Sequence, residues 1–435
     1  KLRAVTATGD GAASAAVAVT PVAPGPPGMV FVPVDPARVD DTRTQFGGVG
    51  PIVAGTTRVM SVASTQEGGV AVVPAGASAI VCNLTVPNPE AAGHLRVMPG
   101  DAATLTTASA INFRPGETMA NGLTVKIDAQ RRIAVYAAVT ADVIVDVVGY
   151  FVPAVTPSAA EPAGPVPVVP ATPATPATPA GRFTAVTPVR VYDASLNPAG
   201  PLAGNASRLV STATAQDGRT PVVPTGASAV AYNITVVRPQ EAGHLRVMPG
   251  DVATSGASTI NWTMPGDVIA NGLTVRVDAE RRVRVFNNTS KPVTFLLDVV
   301  GYYSAAGALF YPTDPTRVLE TRTAFGGAGP IATGAAGQRT ASVANALAGG
   351  AEQVPVGATA IAYNLTVTGT TSYGHLRVWP AGTPLVDAST INWPGAGYSR
   401  ANGTIVAING SREVTVYNGS TTPTDALIDT LGYYK

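Results

Sequence analysis

One pattern of about 125 residues is written three times in this chain of 435 residues, and no other feature restricts its fold as much. The segment "AGHLRVMPGD" stands at Ala92–Asp101 and again, letter for letter, at Ala242–Asp251, and "YGHLRVWPAG" follows at Tyr373–Gly382. Upstream of each lies a second shared stretch: "GASAIVCNLTV" (Gly76–Val86), "GASAVAYNITV" (Gly226–Val236) and "GATAIAYNLTV" (Gly357–Val367). Downstream come "INF", "INW" and "INW", then "ANGLTVKI", "ANGLTVRV" and "ANGTIVAI". The copies close on "DVVGYF", "DVVGYY" and "DTLGYY". Each copy is long enough to bury a core of its own, which argues for three homologous domains rather than three lobes of one trefoil.

Within a copy the apolar residues alternate. Ile80, Cys82, Leu84 and Val86 share one face of an extended segment, and Ala79, Val81, Asn83 and Thr85 the other. Runs such as "IAVY" and "VIVDVV" are rich in β-branched residues and bounded by Gly, Pro or Asn. With 46 Gly and 38 Pro, long helices are disfavoured. The fold class is therefore all-β: three tandem antiparallel β-sandwiches of Greek-key or jelly-roll type, each with eight or nine strands. The domains are placed at 28–153, 183–304 and 307–435. Residues 154–182, with "ATPATPATPA", read as an extended spacer that sets domain one apart, while domains two and three touch. Residues 1–27 hold two alternating strands around a Gly-Asp-Gly turn.

All three histidines fall inside the copied segment. In "GHLRV" the pairs His94/Arg96, His244/Arg246 and His375/Arg377 each share a strand face. They are either ligand-facing or architectural, with the arginine bonded to a carbonyl or carboxylate. The second reading is favoured, because paired polar residues within small β-domains are mostly used that way. Trp262, Trp379 and Trp393 are further ligand-facing candidates, since a ring beside Asn and Arg can stack on a sugar; the rival reading is core filling. Asp146, Asp298 and Asp429 sit among apolar residues of the closing strand and so need buried partners. Arg38, Arg190 and Arg317, near each domain start, are the foremost candidates, along with Arg96, Arg246 and Arg377. Acid–base pairs of Asp146 with Asp41, Asp298 with Asp193 and Asp429 with Glu320 are conceivable, but catalytic sites are rarely kept in triplicate. The sequons at Asn83, Asn233 and Asn364 lie within strands and read as repeat architecture.

The pattern "DPARVDDTR … GASAIVCNLTV … AAGHLRVMPG … ANGLTVKI … VIVDVVGYF" resembles a β-repeat of secreted and surface proteins of actinobacteria and other GC-rich bacteria, whose opening runs close to "PARLLDTR". Four Lys against 24 Arg agrees with GC-rich coding. The resemblance implies an extracellular or cell-surface location and no particular reaction. Domain two departs from it, with "DAS" at Asp193–Ser195 where the others have Asp41–Arg43 and Glu320–Arg322. The first 27 residues resemble the last hairpin of a fibronectin type III domain, so the sequence reads as part of a longer protein.

A net charge of +1 gives no footprint for nucleic acid, and no apolar run is long enough for a membrane span. Nucleophile elbows, P-loops and zincin motifs are absent. A single cysteine and one histidine per copy make a poor metal site. No catalytic residue, cofactor or metal ligand is assigned. The sequence thus points to a non-enzymatic, secreted structural or adhesive protein of an extracellular filament or surface layer, associating with itself or with other surface proteins. The alternative is a carbohydrate- or cell-wall-binding region of a larger secreted hydrolase.

Overall fold

The computed structural model describes residues 5–6, 9–10, 27–44, 50–154, 180–322 and 329–435. Near the N-terminus, β1 (Val5–Thr6) pairs with β2 (Gly9–Asp10), Val5 opposite Asp10 and Thr6 opposite Gly9. Gly9 and Asp10 therefore belong to the second strand, not to the turn expected there. The remainder of the N-terminal 26 residues, with the expected fibronectin-type hairpin, lies outside the described residues.

Domain one contains β3 (Met29–Asp41), β4 (Thr57–Ser61), β5 (Ala79–Val86), β6 (Gly93–Pro99), β7 (Ile111–Phe113), β8 (Met119–Lys126), β9 (Arg132–Ala137) and β10 (Ile144–Pro153). They form two antiparallel four-stranded sheets, ordered β3-β10-β5-β8 and β4-β9-β6-β7. Counted within the domain, these orders are 1-8-3-6 and 2-7-4-5, the two interlocked Greek keys of a jelly roll.

Domain two repeats the arrangement with β11 (Arg182–Asp193), β12 (Ser207–Ser211), β13 (Ala229–Val237), β14 (Gly243–Pro249), β15 (Ile260–Trp262), β16 (Val268–Arg276), β17 (Arg282–Asn287) and β18 (Thr294–Ser304). Domain three does so with β19 (Phe310–Glu320), β20 (Gln338–Ser342), β21 (Ala360–Thr368), β22 (Gly374–Pro380), β23 (Ile391–Trp393), β24 (Arg400–Ala407), β25 (Glu413–Asn418) and β26 (Asp425–Tyr434). Among the described residues no helix is long and apolar enough to cross a membrane.

The expectation that domain one stands apart on a spacer is overturned. All three domains close into a ring. Phe31 pairs with Gly181 ahead of domain two, Phe183 with Ala308 ahead of domain three, and Phe310 with Met29 of domain one. Each domain thus binds the lead-in of the next, and the third binds the first. Ala154 N donates to Gly28 O, so both ends of the proline-rich segment return to the same end of domain one. Gly181 and Arg182, assigned to the spacer from sequence, belong to this pairing and to β11.

The physical reason lies in the inner sheets. Alternation predicts one buried and one open face for β5, yet all eight of its residues are buried, as are all but one of β8. One face covers the sandwich core and the other is covered by neighbouring domains. Ala79, Val81 and Leu123 are too apolar to leave in water, and ring closure removes them from it.

Candidate functional site

The shared Ala-Asn-Gly and Asn-Leu/Ile-Thr motifs meet on the axis of the ring, the shared Arg–Asp and His–Arg pairs close within one domain, and Lys126–Asp314 and Arg276–Asp35 bridge domains away from the axis. Strands β8, β16 and β24 meet at the axis, and each brings its Ala-Asn-Gly there. A Cβ added to Gly122 would lie 1.8 Å from Gly272 O, one on Gly272 would lie 2.4 Å from Gly403 O, and one on Gly403 would lie 1.9 Å from Gly122 O. Only glycine lets the three backbones approach this closely.

The asparagines beside these glycines lace the domains together. Asn271 Nδ2 donates to Asn83 Oδ1 at 3.0 Å, Asn402 Nδ2 to Asn233 Oδ1 at 2.9 Å, and Asn121 Nδ2 to Asn364 Oδ1 at 2.9 Å. The backbone N–H groups of Gly122, Gly272 and Gly403 donate to Asn271, Asn402 and Asn121 at 2.7–2.8 Å. Asn83, Asn233 and Asn364 in turn donate to the carbonyls of Ser258, Ser389 and Ser109, each in another domain, at 2.7 Å. The three sequons are therefore buried parts of the ring and cannot accept a glycan in it.

Toward the end of the ring where the lead-ins pair, six rings close the axis: Phe31 and Phe151, Phe183 and Tyr303, Phe310 and Tyr434. Contacts between domains run Phe31–Tyr303 at 4.4 Å, Phe183–Tyr434 at 4.4 Å and Phe151–Phe310 at 4.3 Å between centroids. Tyr303 and Tyr434 share a hydroxyl hydrogen bond of 2.7 Å, and the third position, Phe151, has none to offer. A second departure from threefold symmetry is Arg400, bonded through Nη2 to Asp267 Oδ2 at 3.0 Å across the interface of domains two and three, both side chains buried.

Sequence reasoning missed this axis. The signal was available, as a glycine recurs at one position in the middle of three predicted strands.

The pairs within domains match the architectural readings. Arg38 Nε and Nη2 grip Asp146 at 2.9 and 3.2 Å, Arg190 grips Asp298 at 2.9 and 3.2 Å, and Arg317 grips Asp429 at 2.8 and 3.1 Å. Burial pushes each of these carboxyls up, and the arginine on both oxygens pulls it back down. The conceivable acid–base partners Asp41, Asp193 and Glu320 do lie nearby, but each faces the same arginine. Two carboxylates sharing one guanidinium form an ion-pair cluster.

Arg43 chelates Asp41 at 2.9 and 2.7 Å, and Arg322 binds Glu320. In domain two Ser195 N and Oγ take that place on Asp193, at 2.8 and 2.5 Å. "DTR" and "DAS" thus solve one local problem in two ways.

The histidines do not converge. Arg96 Nε donates to His94 Nε2 at 3.2 Å, Arg246 to His244 at 3.2 Å and Arg377 to His375 at 3.1 Å. Each arginine also donates to a carbonyl of its own domain: Thr106, Ser255 or Val386. Burial, with the adjacent guanidinium second, lowers His94 below the usual imidazole range and brings His244 and His375 to about 4. The rings are neutral, and the Nε2 lone pair that a base or metal ligand would need is given to arginine.

The tryptophan candidates are corrected. Trp262, Trp379 and Trp393 are at most 2% exposed. Their Nε1 groups donate to Glu241 O, Thr383 O and Ser372 O, so the rings fill cores and brace loops.

A scan against protein-family models finds no match, and neither does a comparison with curated proteins. Among solved structures the chain is similar to PBSX exported protein XepA, at 16% identity over 56% of this chain and 86% of that one, with a TM-score of 0.17. A tandem CBM22 pair from Paenibacillus barcinonensis Xyn10C is 11% identical over 59% of this chain and all of that one, with a TM-score of 0.16. A triple jelly roll from the turret of an archaeal virus is 9% identical over 93% of this chain and 90% of that one, with a TM-score of 0.17. These values carry no argument about activity; the strand order of the chain itself identifies it as three jelly rolls.

Proposed function

We propose that this chain is a non-enzymatic structural or adhesive protein of the bacterial surface, secreted as the repeat resemblance implies, in which three repeats form one rigid head. The observation that carries the reading is where the recurring polar residues go. The axial asparagines bond across domains, the Arg–Asp and His–Arg pairs bond within a domain, and for these groups the use is the same three times over. Residues so bound build a scaffold; a reacting centre needs some of them free and differently placed.

The ring satisfies its inter-domain surfaces within one chain, so association with further copies must use other surfaces. Gly28 packs against Leu309, and Leu309 pairs with Lys435 at that same end of the ring.

Light scattering and negative-stain imaging of residues 1–435 and 28–435 test this. Ordered oligomers or filaments from the longer chain, and single three-lobed particles from the shorter, are expected. Isolated particles from both chains at high concentration would remove the assembly half of the reading.

A further inference from the structure

Between domains two and three, on the side of the ring, lies a groove of about 340 Å³ lined by Arg238, Tyr373, His375, Asn392 and Trp393. We propose that it is a binding site for an acidic saccharide, a hexose ring carrying a carboxylate. This supplies a ligand for the adhesive half of the reading above, and its failure would leave the assembly result untouched.

Tyr373 is 67% exposed and is the one exposed aromatic side chain among the described residues. Its counterparts in the other copies are Ala92 and Ala242. The ring therefore has no part in the shared fold and presents an uncovered apolar face, the kind of surface that marks a contact site. Its position is braced. Trp393 Nε1 holds the carbonyl of the preceding Ser372 at 2.7 Å, and Ser372 Oγ shares a hydrogen bond with Thr422 Oγ1 at 2.9 Å. At Gly374 an added Cβ would stand 2.3 Å from Ser420 Cβ, so the backbone beside the tyrosine has no room to shift.

Two further groups on the groove, Arg238 and His375, are donors. The Arg238 side chain makes no hydrogen bond, ion pair or ring contact with any described residue, although its backbone is fixed by a bond to Asp267 O. Most described arginines are bound to a carboxylate or carbonyl; Arg238, like Arg182 and Arg219, is not, and of these it is the one on the groove. Its counterparts are Asn88 and Gly369. His375 accepts from Arg377 at Nε2, which leaves Nδ1 of the neutral ring as its N–H donor.

A stacking face plus a free guanidinium and an N–H group selects for a ligand with one apolar ring face and an anionic group. A neutral sugar would use the tyrosine but leave the charge unanswered. The volume is at the lower end for small-molecule sites, enough for a short segment of a glycan.

The test is calorimetric titration of the full chain with trigalacturonate, a hyaluronan tetrasaccharide and maltotriose. At least one acidic probe should bind, and maltotriose at least five-fold more weakly. Tyr373→Ala should lose ten-fold or more for every sugar that binds. Arg238→Gln should bring the acidic probe down to the level of maltotriose. Both residues are exposed, so the variants should melt with the parent. No binding of either acidic probe at millimolar concentration, or unchanged binding by Tyr373→Ala, would overturn the proposal.

Discussion

The axis of the ring and its rim are both built from polar residues repeated three times, and they differ in where the partner lies. At the axis, Asn121, Asn271 and Asn402 bond to residues of another domain. At the rim, His94, His244 and His375 bond to an arginine two residues away. The first set makes three sandwiches into one body, and the second shapes a strand within a sandwich. A lesion at the axis should therefore be felt in two or three domains, and one at the rim in one.

The largest effect is expected at the glycines. Gly403→Ala places a methyl 1.9 Å from Gly122 O, a backbone atom that no side-chain rotation can move aside. The strands must separate, and the asparagine bonds on both sides go with them. A loss of roughly 3 kcal/mol or more in denaturant unfolding is expected, with a larger radius by small-angle scattering. Gly410→Ala, in open space, is the control and should change stability by less than about 0.5 kcal/mol. Equal behaviour of the two variants would show that the ring does not close as described.

Asn271→Ala comes next. It removes the donor to Asn83 Oδ1 and Thr259 O and the acceptor of Gly122 N–H, all buried. Unpaired buried polar groups should cost roughly 2 kcal/mol in all. The sharper readout is hydrogen exchange. Protection should fall in β5 and β8 of domain one, although the substitution is in domain two. A loss confined to domain two would erase the distinction between axis and rim.

The rim was legible in the sequence and the axis was not, for a reason of range. His94 and Arg96 lie two residues apart in a strand, so their meeting follows from the period of the backbone. Asp146 amid valines demands a cation, and few arginines recur at a matching place, so Arg38 could be named. The jelly-roll class likewise follows from strand spacing and alternation.

Asn83 and Asn271 are 188 positions apart, and their pairing depends on a surface that exists only when three domains meet. Two clues bore on it. A glycine in mid-strand signals a close backbone approach, and Asn83 and Thr85 on the supposedly open face of β5 are short polar residues suited to burial with partners. The proline-rich spacer argued the other way, because length was taken for distance. The exposed Tyr373 could not be told from Trp393 by sequence, since either ring fits a strand edge or a core.

The smallest effect is one of pH, and it belongs to the rim. His244 and His375 are held near 4 in the folded chain against 6.5 when unfolded. The unfolded state then binds more protons between these values, so stability is full above about 6.5 and falls as pH drops toward 4. Solvent reaches part of each ring, which reduces the contribution to on the order of 1 kcal/mol per histidine. Asp40 opposes the trend. Burial pushes its carboxyl up to about 6, so its contribution is present below about 4 and is lost as pH rises through 6. Melting curves of the parent and of His244→Gln/His375→Gln at pH 7.5, 6 and 4.5 separate the two. The double variant should lose less on acidification than the parent, because only His94 of the three lowered imidazoles remains in it. Parallel curves would mean that these histidines take up protons in the ring as readily as in the unfolded chain, and that the arginine bonds at the rim do not hold them neutral.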